Sequence, residues 1–368
     1  RLGDIDKESF RAAAEALGFV KVGFARAERL SEEEERLRRW LAAGRHGEMF
    51  YMERALEERL DPRRPGIVKG ACSVVVLVTP YARGDHAIDL DPGRVARYAW
   101  GRDYHNLLYK RCRALTRILR EQGHEARAAV DTLPVWERAW AQRAGVGFIG
   151  KNCCLIVPGW GSHVLLSAIV TTATFEPDEA MEERCGSCRL CLDACPTGAF
   201  VDAYELEARR CIAYWTIEAS SPPPRELRPG FGDWVFGCDR CQEVCPYNRG
   251  AAQRRPSEAA FAPHPRWEGK DAEALLQMDE AEFADFAAGS PLKRTGLSGM
   301  RRNLAIALGN AGARRHLPVL RQWLAAPIQG EDDSSTREVI AWAVERIEAR
   351  ESESCPGAEP QLARGEER

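Results

Sequence analysis

Residues 185–196 read CGSCRLCLDACP, four cysteines and a proline in twelve positions. The spacing is C-x2-C-x2-C-x3-C-P. Two-residue gaps let three thiolates wrap three corners of one cubane 4Fe–4S cluster, and the fourth cysteine of such a run ligates a second cluster. That geometry requires another ligand set elsewhere in the chain.

The other set stands at 238–248, CDRCQEVCPYN, with Cys238, Cys241, Cys245 and Pro246. It lacks one cysteine of the usual run, and Cys211 in CIAYWTIE is the replacement. The crossing-over rule then assigns Cys185, Cys188, Cys191 and Cys245 to cluster one. Cluster two takes Cys195, Cys211, Cys238 and Cys241, which leaves no ligand over. Zinc ribbons use paired CxxC units rather than three cysteines at two-residue gaps followed by C-P. Disulfides do not suit the reducing compartment expected below. The remaining cysteines read more simply. Cys72 in a strand and Cys112 in a helix are expected as small buried hydrophobes, Cys355 lies in the tail, and Cys153 and Cys154 follow GKN and could line a pocket.

Composition frames the rest. The chain has 368 residues, 45% hydrophobic and 29% charged, with a net charge of −3. This suits a soluble globular protein of two or three units, with monomer as the expected state. No apolar run approaches the roughly 20 residues of a membrane span. The opening RLGDIDKESF lacks the apolar core of a signal peptide, so a cytoplasmic location without membrane contact is expected.

Along the chain, DKESFRAAAEALGF, SEEEERLRRWLAAG (Ser31 as N-cap), YHNLLYKRCRALTRILREQG and PVWERAWAQRAG read as helices. VKVGFARA, SVVVLVTPY, EARAAVD and HVLLSAIVTTATF read as strands. Alternating helices and strands argue for an α/β domain over 1–175. Residues 176–255 hold eight of the thirteen cysteines and form the ferredoxin-like double 4Fe–4S unit. Residues 256–350 return to helices, and RRNLAIALGNAG followed by LPVLRQWL has the look of a HEAT-type repeat. A disordered tail is expected at 351–368. The fold class is therefore α+β and multi-domain.

Two clusters make a short electron path, and the long preceding domain suggests a built-in acceptor. No GxGxxG follows a strand and no CxxCH is present, so neither a dinucleotide fold nor attached haem is supported. The segments VARYAWGRDYHNLLYKR, VDTLPVWERAWAQRAGVGFIGKN, the double cysteine motif with CIAYWTIE between its halves, and SPLKRTGLSGMRRNLAIALGN together resemble the epoxyqueuosine reductases, over about residues 10–350. The resemblance implies an α/β cobalamin-binding domain similar to those of reductive dehalogenases. It also implies cob(II)alamin at rest, an external low-potential electron donor, and a tRNA carrying epoxyqueuosine at the wobble position as substrate. It places the proton donor at Asp131, whose other reading is a cap, with Thr132, for the following helix. It places cobalamin contacts at Arg54, Arg97, Tyr98, Asp131 and Lys151; Arg54, Arg97, Tyr98 and Lys151 read equally as parts of surface ion pairs. It implies no histidine on cobalt, leaving His105 structural and His163 without a ligand role.

The charge distribution fits a nucleic-acid substrate. Residues 289–330 contain no acid, and Lys293, Arg294, Arg301, Arg302, Arg314, Arg315 and Arg321 give the block a charge of +7. Lys293, Arg294, Arg301, Arg302 and Asn303 gather at the start of a helix, where dipole and side chains would attract phosphate. Trp215 reads as either a stacking wall for a splayed base or core packing. Competing functions are a dehalogenase-like corrinoid reductase of a small molecule, which the basic block argues against, and a non-catalytic electron carrier, which the long first domain argues against.

Overall fold

The structure, a computed structural model, describes residues 6–81, 88, 90–250, 258–326 and 332–354. Asp6 caps the first helix, Lys7–Ala16, by accepting from the backbone of Glu8 and Ser9. The helix Ser31–Ala42 begins at its expected cap residue, so the N-cap is Leu30, one residue earlier, with no side-chain bond there.

The strands β1 (Lys21–Arg26), β2 (Ser73–Pro80), β3 (Arg94–Val95), β4 (Ala126–Ala129), β5 (Phe148–Ile149), β6 (Leu155–Ile156) and β7 (Val164–Thr171) follow in chain order. The main sheet runs β1-β2-β7-β4. Every pairing in it is antiparallel, with Phe24 opposite Val75, Val75 opposite Ile169, and Ala128 opposite Ile169. This corrects the α/β expectation. Alternation of helices and strands along a chain does not fix strand direction, and here each strand lies antiparallel to its hydrogen-bonded neighbours.

Side chains alternate across the sheet as the pleat requires. Val74, Val76, Val78, Ala168 and Val170 face Trp140 and Leu30 on one side. Phe24, Val75, Leu77 and Ile169 face Phe10, Leu108 and Leu115 on the other. Strand β2 is buried along its whole length, which is why it reads as an unbroken apolar run. Gly23 lets β1 press against the helix Glu137–Arg143, since a Cβ there would stand 2.1 Å from the Ala144 carbonyl oxygen.

A third core joins Val95, Ala99 and Trp100 to Trp215, Phe231 and Phe236 and to the C-terminal helices through Leu304, Leu308, Ile340 and Ile347. It crosses the chain position expected as a boundary at 256. The parallel pairing of β3 with the strand Trp234–Phe236 belongs to this seam. The helices Gly296–Ala311, Leu317–Ala325 and Asp332–Ser354 close the C-terminal end. Gly309 permits their closest approach, because a Cβ there would meet Ala343 at 2.9 Å. The last helix extends four residues into the expected tail, whose remainder, 355–368 with Cys355, lies outside the described residues. Among the described residues no helix is long and apolar enough to cross a membrane.

Candidate active site and the two cysteine groups

Asp131 follows the end of β4 with φ +55°, the left-handed region. Asp enters this region more readily than most residues because its short polar side chain can bond locally. Its backbone N–H donates to Glu137 Oε1 at 3.2 Å. The following helix, Glu137–Arg143, has Trp136 at its N-cap and no side-chain capping bond. Asp131 and Thr132 are thus not helix caps, and the Asp131 side chain is 66% exposed.

The helix Tyr104–Glu121 aims its first residues at this carboxylate. The Tyr104 hydroxyl donates to Asp131 Oδ2 at 2.6 Å. Asp103, the N-cap, accepts from the His105 backbone N–H at 3.0 Å and meets His105 Nδ1 at 2.6 Å. The His105 ring stacks on Tyr104 at 4.1 Å, with Nε2 at 3.9 Å from Asp131 Oδ2. The Asp103 hydrogen bond raises the affinity of His105 for its proton. Burial, then the Asp131 charge, pushes the Tyr104 and Tyr98 hydroxyls well above the ordinary tyrosine range, so both remain donors.

Around this centre stand Glu137, Arg59, Tyr51 and Arg294. Burial pushes the Glu137 carboxyl up to about 7, with the Asp131 charge adding to the rise. Burial also lowers the Arg59 pKa, and its Nε is buried without a protein partner. Arg294 lies over the Tyr51 ring at 5.7 Å and donates to Glu218 Oε2 at 2.6 Å. Its charge is stabilised first by Glu218 and, more weakly, by Asp131.

The cysteines form two groups. Cys185, Cys188, Cys191 and Cys245 line one cavity together with Lys151 and Tyr247. Cys195, Cys211, Cys238 and Cys241 gather apart from it: burial raises the Cys238 thiol, with Cys211 and Cys195 close enough to add to the rise. Cys241 is raised first by a hydrogen bond with Cys154, then by burial, with Cys211 and Cys238 among its neighbours. Each run places a single helical turn shortly before its Cys-Pro pair, Leu190–Asp193 in one and Arg240–Glu243 in the other. The chain crossing seen in the spacing is thus present in space, since Cys245 stands with the first run and Cys195 with the second.

A family described as "4Fe-4S double cluster binding domain" matches residues 184–248, which take in all eight of these cysteines. A second, described as "Epoxyqueuosine reductase QueG, DUF1730", matches residues 59–132 and so reaches Asp131. The epoxyqueuosine reductase of Gloeobacter violaceus is 44% identical over 82% of this chain and 95% of its own length. That of Pseudomonas aeruginosa is 42% identical over 92% of this chain and 94% of its own. The chain belongs to the epoxyqueuosine reductase family. A crystal structure of an epoxyqueuosine reductase with a tRNA-Tyr epoxyqueuosine-modified stem-loop superposes with a TM-score of 0.85 at 31% identity, covering 96% of this chain and 95% of that one. An epoxyqueuosine reductase from Bacillus subtilis, with its catalytic aspartate loop swung out of the active site, superposes with a TM-score of 0.82 at 30% identity over 96% and 95%.

Several residues singled out in the sequence take other places than expected. Lys151 lies at the first cysteine cavity, where Nζ donates to the carbonyls of Gly186 and, at 3.0 Å, Cys188, so it is not directed at the Asp131 site. Arg302 is 4% exposed and donates to the Ser220 carbonyl and, at 2.9 Å, the Ala219 carbonyl. Asn303 is 1% exposed and bonds the carbonyls of Thr216 and Val235, each at 2.9 Å. Both are tethers between the C-terminal helix and the cysteine-bearing segment, which corrects their reading as phosphate contacts. Arg301 lies over Trp323 at 4.3 Å and donates to the Met278 carbonyl. Lys293, Arg294 and Arg54 are exposed.

Arg97 donates its backbone N–H to Asp239 Oδ2 at 2.7 Å, with its guanidinium 5.2 Å from the Trp100 ring. Tyr98 packs between Tyr104 at 6.3 Å and Phe236 at 6.1 Å. Trp215 is in the core, its indole N–H bonded to the Arg209 carbonyl at 2.8 Å, so it is no stacking wall. Cys112 is buried as expected, whereas Cys72 is exposed. Sequence reading missed Tyr104, Glu137, Arg59 and Tyr51. Asp103 before Tyr104-His105 is a capping signal that could have put the Tyr104 helix start at the site.

Proposed function

We propose that this chain reduces epoxyqueuosine in the anticodon loop of tRNA to queuosine, with Asp131 giving a proton to the departing epoxide oxygen. Two electrons and two protons convert the epoxide into a carbon–carbon double bond and water. The observation that carries this reading is the exposed Asp131 carboxylate held by Tyr104, in a chain that also carries a double cluster domain. Cys185, Cys188, Cys191 and Cys245 would hold cluster one, and Cys195, Cys211, Cys238 and Cys241 cluster two; bound there, the pair would supply one-electron chemistry fed by an external low-potential donor.

The residues at the Asp131 face fit cobalamin. Arg59 keeps a buried Nε–H for an acceptor such as a corrin amide, and Tyr98 presents an aromatic wall beside Tyr104. Arg54 and Arg97 complete the proposed contacts. Bound there, cobalamin supplies a strongly reducing cobalt centre. The protein's own part is to orient the substrate and deliver protons. Tyr104 fixes the Asp131 carboxyl, and Glu137, whose carboxyl is raised by burial, stands behind the same loop.

The proposed organisation is a cobalamin-binding catalytic unit over 1–175, a cluster unit over 176–255 and a HEAT-like helical unit over 256–350 that meets tRNA. Lys293 and Arg294 are its phosphate contacts nearest the site. Lys293 acts electrostatically on Asp103, and Arg294 on Tyr51 and Asp131, which supports reading this basic edge as the rim of the same face. The test is Asp131→Asn. Loss of a general acid costs about 10²–10⁴ in rate, so turnover should fall by about a hundredfold or more while cobalamin absorbance on binding is unchanged. Full turnover with the cofactor bound would show that Asp131 is not the donor.

A further inference from the structure

We infer that Lys151 is a fixed positive charge that raises the reduction potential of cluster one, an inference that rests on the ligand assignment proposed above. Lys151 sits in the turn between β5 and β6 and is partly buried. Its backbone is held on both sides, because the Tyr204 N–H donates to the Lys151 carbonyl at 3.0 Å and the Cys153 N–H to that of Gly150 at 2.8 Å. The ammonium donates to two carbonyls of the CGSC loop, Gly186 and Cys188, and shares the cavity with Cys185, Cys188, Cys191 and Cys245. The neighbouring Asn152 donates from Nδ2 to the Cys241 carbonyl at 3.3 Å, so one turn grips both cysteine runs while only one receives a charge.

A cubane bound by four thiolates carries net negative charge. Accepting one electron from an external reductant adds one more unit, with no bond made or broken in the protein. A cation held against the cavity stabilises the reduced form more than the oxidised form, which raises the potential. The opposing group is Glu183, whose carboxylate accepts the Cys185 N–H and lies within electrostatic range of Lys151. Lys151 therefore makes cluster one a better electron acceptor than its thiolates and Glu183 alone would allow.

The experiment is an EPR-monitored redox titration of the reconstituted full chain, without substrate, together with iron analysis. Lys151→Gln keeps a hydrogen-bond donor and removes the charge. The expected result is full iron content, one of two reduction waves moved to more negative potential, and the other unmoved. Lys151→Arg should leave both waves near their wild-type positions, and Glu183→Gln should move the same wave in the opposite direction. Unmoved waves in a fully loaded Lys151→Gln protein would overturn the inference. Iron loss in both Lys151 variants would make the residue a clamp alone and overturn it equally. A wild-type chain that takes up no cluster would instead defeat the ligand assignment, which separates the two failures.

Discussion

The Tyr104 hydroxyl donates to Oδ2 of Asp131 at 2.6 Å, joining the first turn of a long helix to a loop 27 residues further along the chain. Asp131 is mostly exposed and in a left-handed backbone conformation, so this bond is what gives its carboxyl one direction. Tyr104→Phe should lower turnover about tenfold, equivalent to about 1.4 kcal/mol of barrier. Cobalamin affinity and thermal stability should change little. Single-turnover rates with the loaded enzyme check this, and an unchanged rate would remove Tyr104 from the positioning of Asp131.

Glu137 gives the protein a pH signature. Its carboxyl rises from an ordinary 4.5 to about 7 on folding, mainly through burial. A group whose folded pKa is raised stabilises the fold below its unfolded value and loses that contribution as pH rises through the folded value. Between about pH 4.5 and 7, stability should therefore decline as Glu137 ionises. In Glu137→Gln this part of the decline should vanish. Melting temperatures of the two proteins from pH 5 to pH 8 provide the comparison, and parallel curves would contradict the assignment.

The basic block divides into surface and tether. Lys293→Ala and Arg294→Ala should each weaken tRNA binding and reduce the slope of log K against log salt by about one. Arg302→Ala should instead destabilise the protein by about 1–3 kcal/mol, because it strands the carbonyls of Ala219 and Ser220. Filter binding at several salt concentrations, set beside thermal unfolding, separates the two classes. A normal melting curve for Arg302→Ala would place that residue on the binding surface after all.

Crossed ligation makes its own prediction. Cys245→Ala should remove the cluster whose other ligands lie in the first run, and Cys195→Ala the one whose others lie in the second. Each variant should keep about half the wild-type iron of a double 4Fe–4S protein. Combining Cys245→Ala with Cys185→Ala should cost no more iron than either alone, whereas Cys245→Ala with Cys211→Ala should abolish both clusters. Iron and sulfide analysis after anaerobic reconstitution reads this directly.

Much of this was legible before any coordinates. Thiolate spacing is set by the size of the cubane, so the crossing of Cys195 and Cys245 could be read from two short strings. The strand β2 announced itself as a buried apolar run, and Asp131 stood at a strand end. Strand direction was not legible, because an antiparallel return and a parallel crossover can both carry helices. Lys151 and Arg302 were misplaced for a related reason. A long cationic side chain near a motif says what charge is available, but only packing decides which carbonyls it meets. The acid-free stretch likewise concealed two functions, since Arg302 and Asn303 satisfy buried carbonyls while Lys293 and Arg294, earlier in the same stretch, remain in solvent.

The most direct test is conversion of the substrate itself. The anaerobically reconstituted chain, loaded with iron, sulfide and cobalamin and then reduced, is incubated with tRNA bearing epoxyqueuosine. The tRNA is digested to nucleosides for mass analysis. The account predicts loss of one oxygen from the modified nucleoside, dependent on cobalamin and abolished in Asp131→Asn. An unchanged nucleoside mass from a chain fully loaded with both clusters and the corrinoid would contradict it.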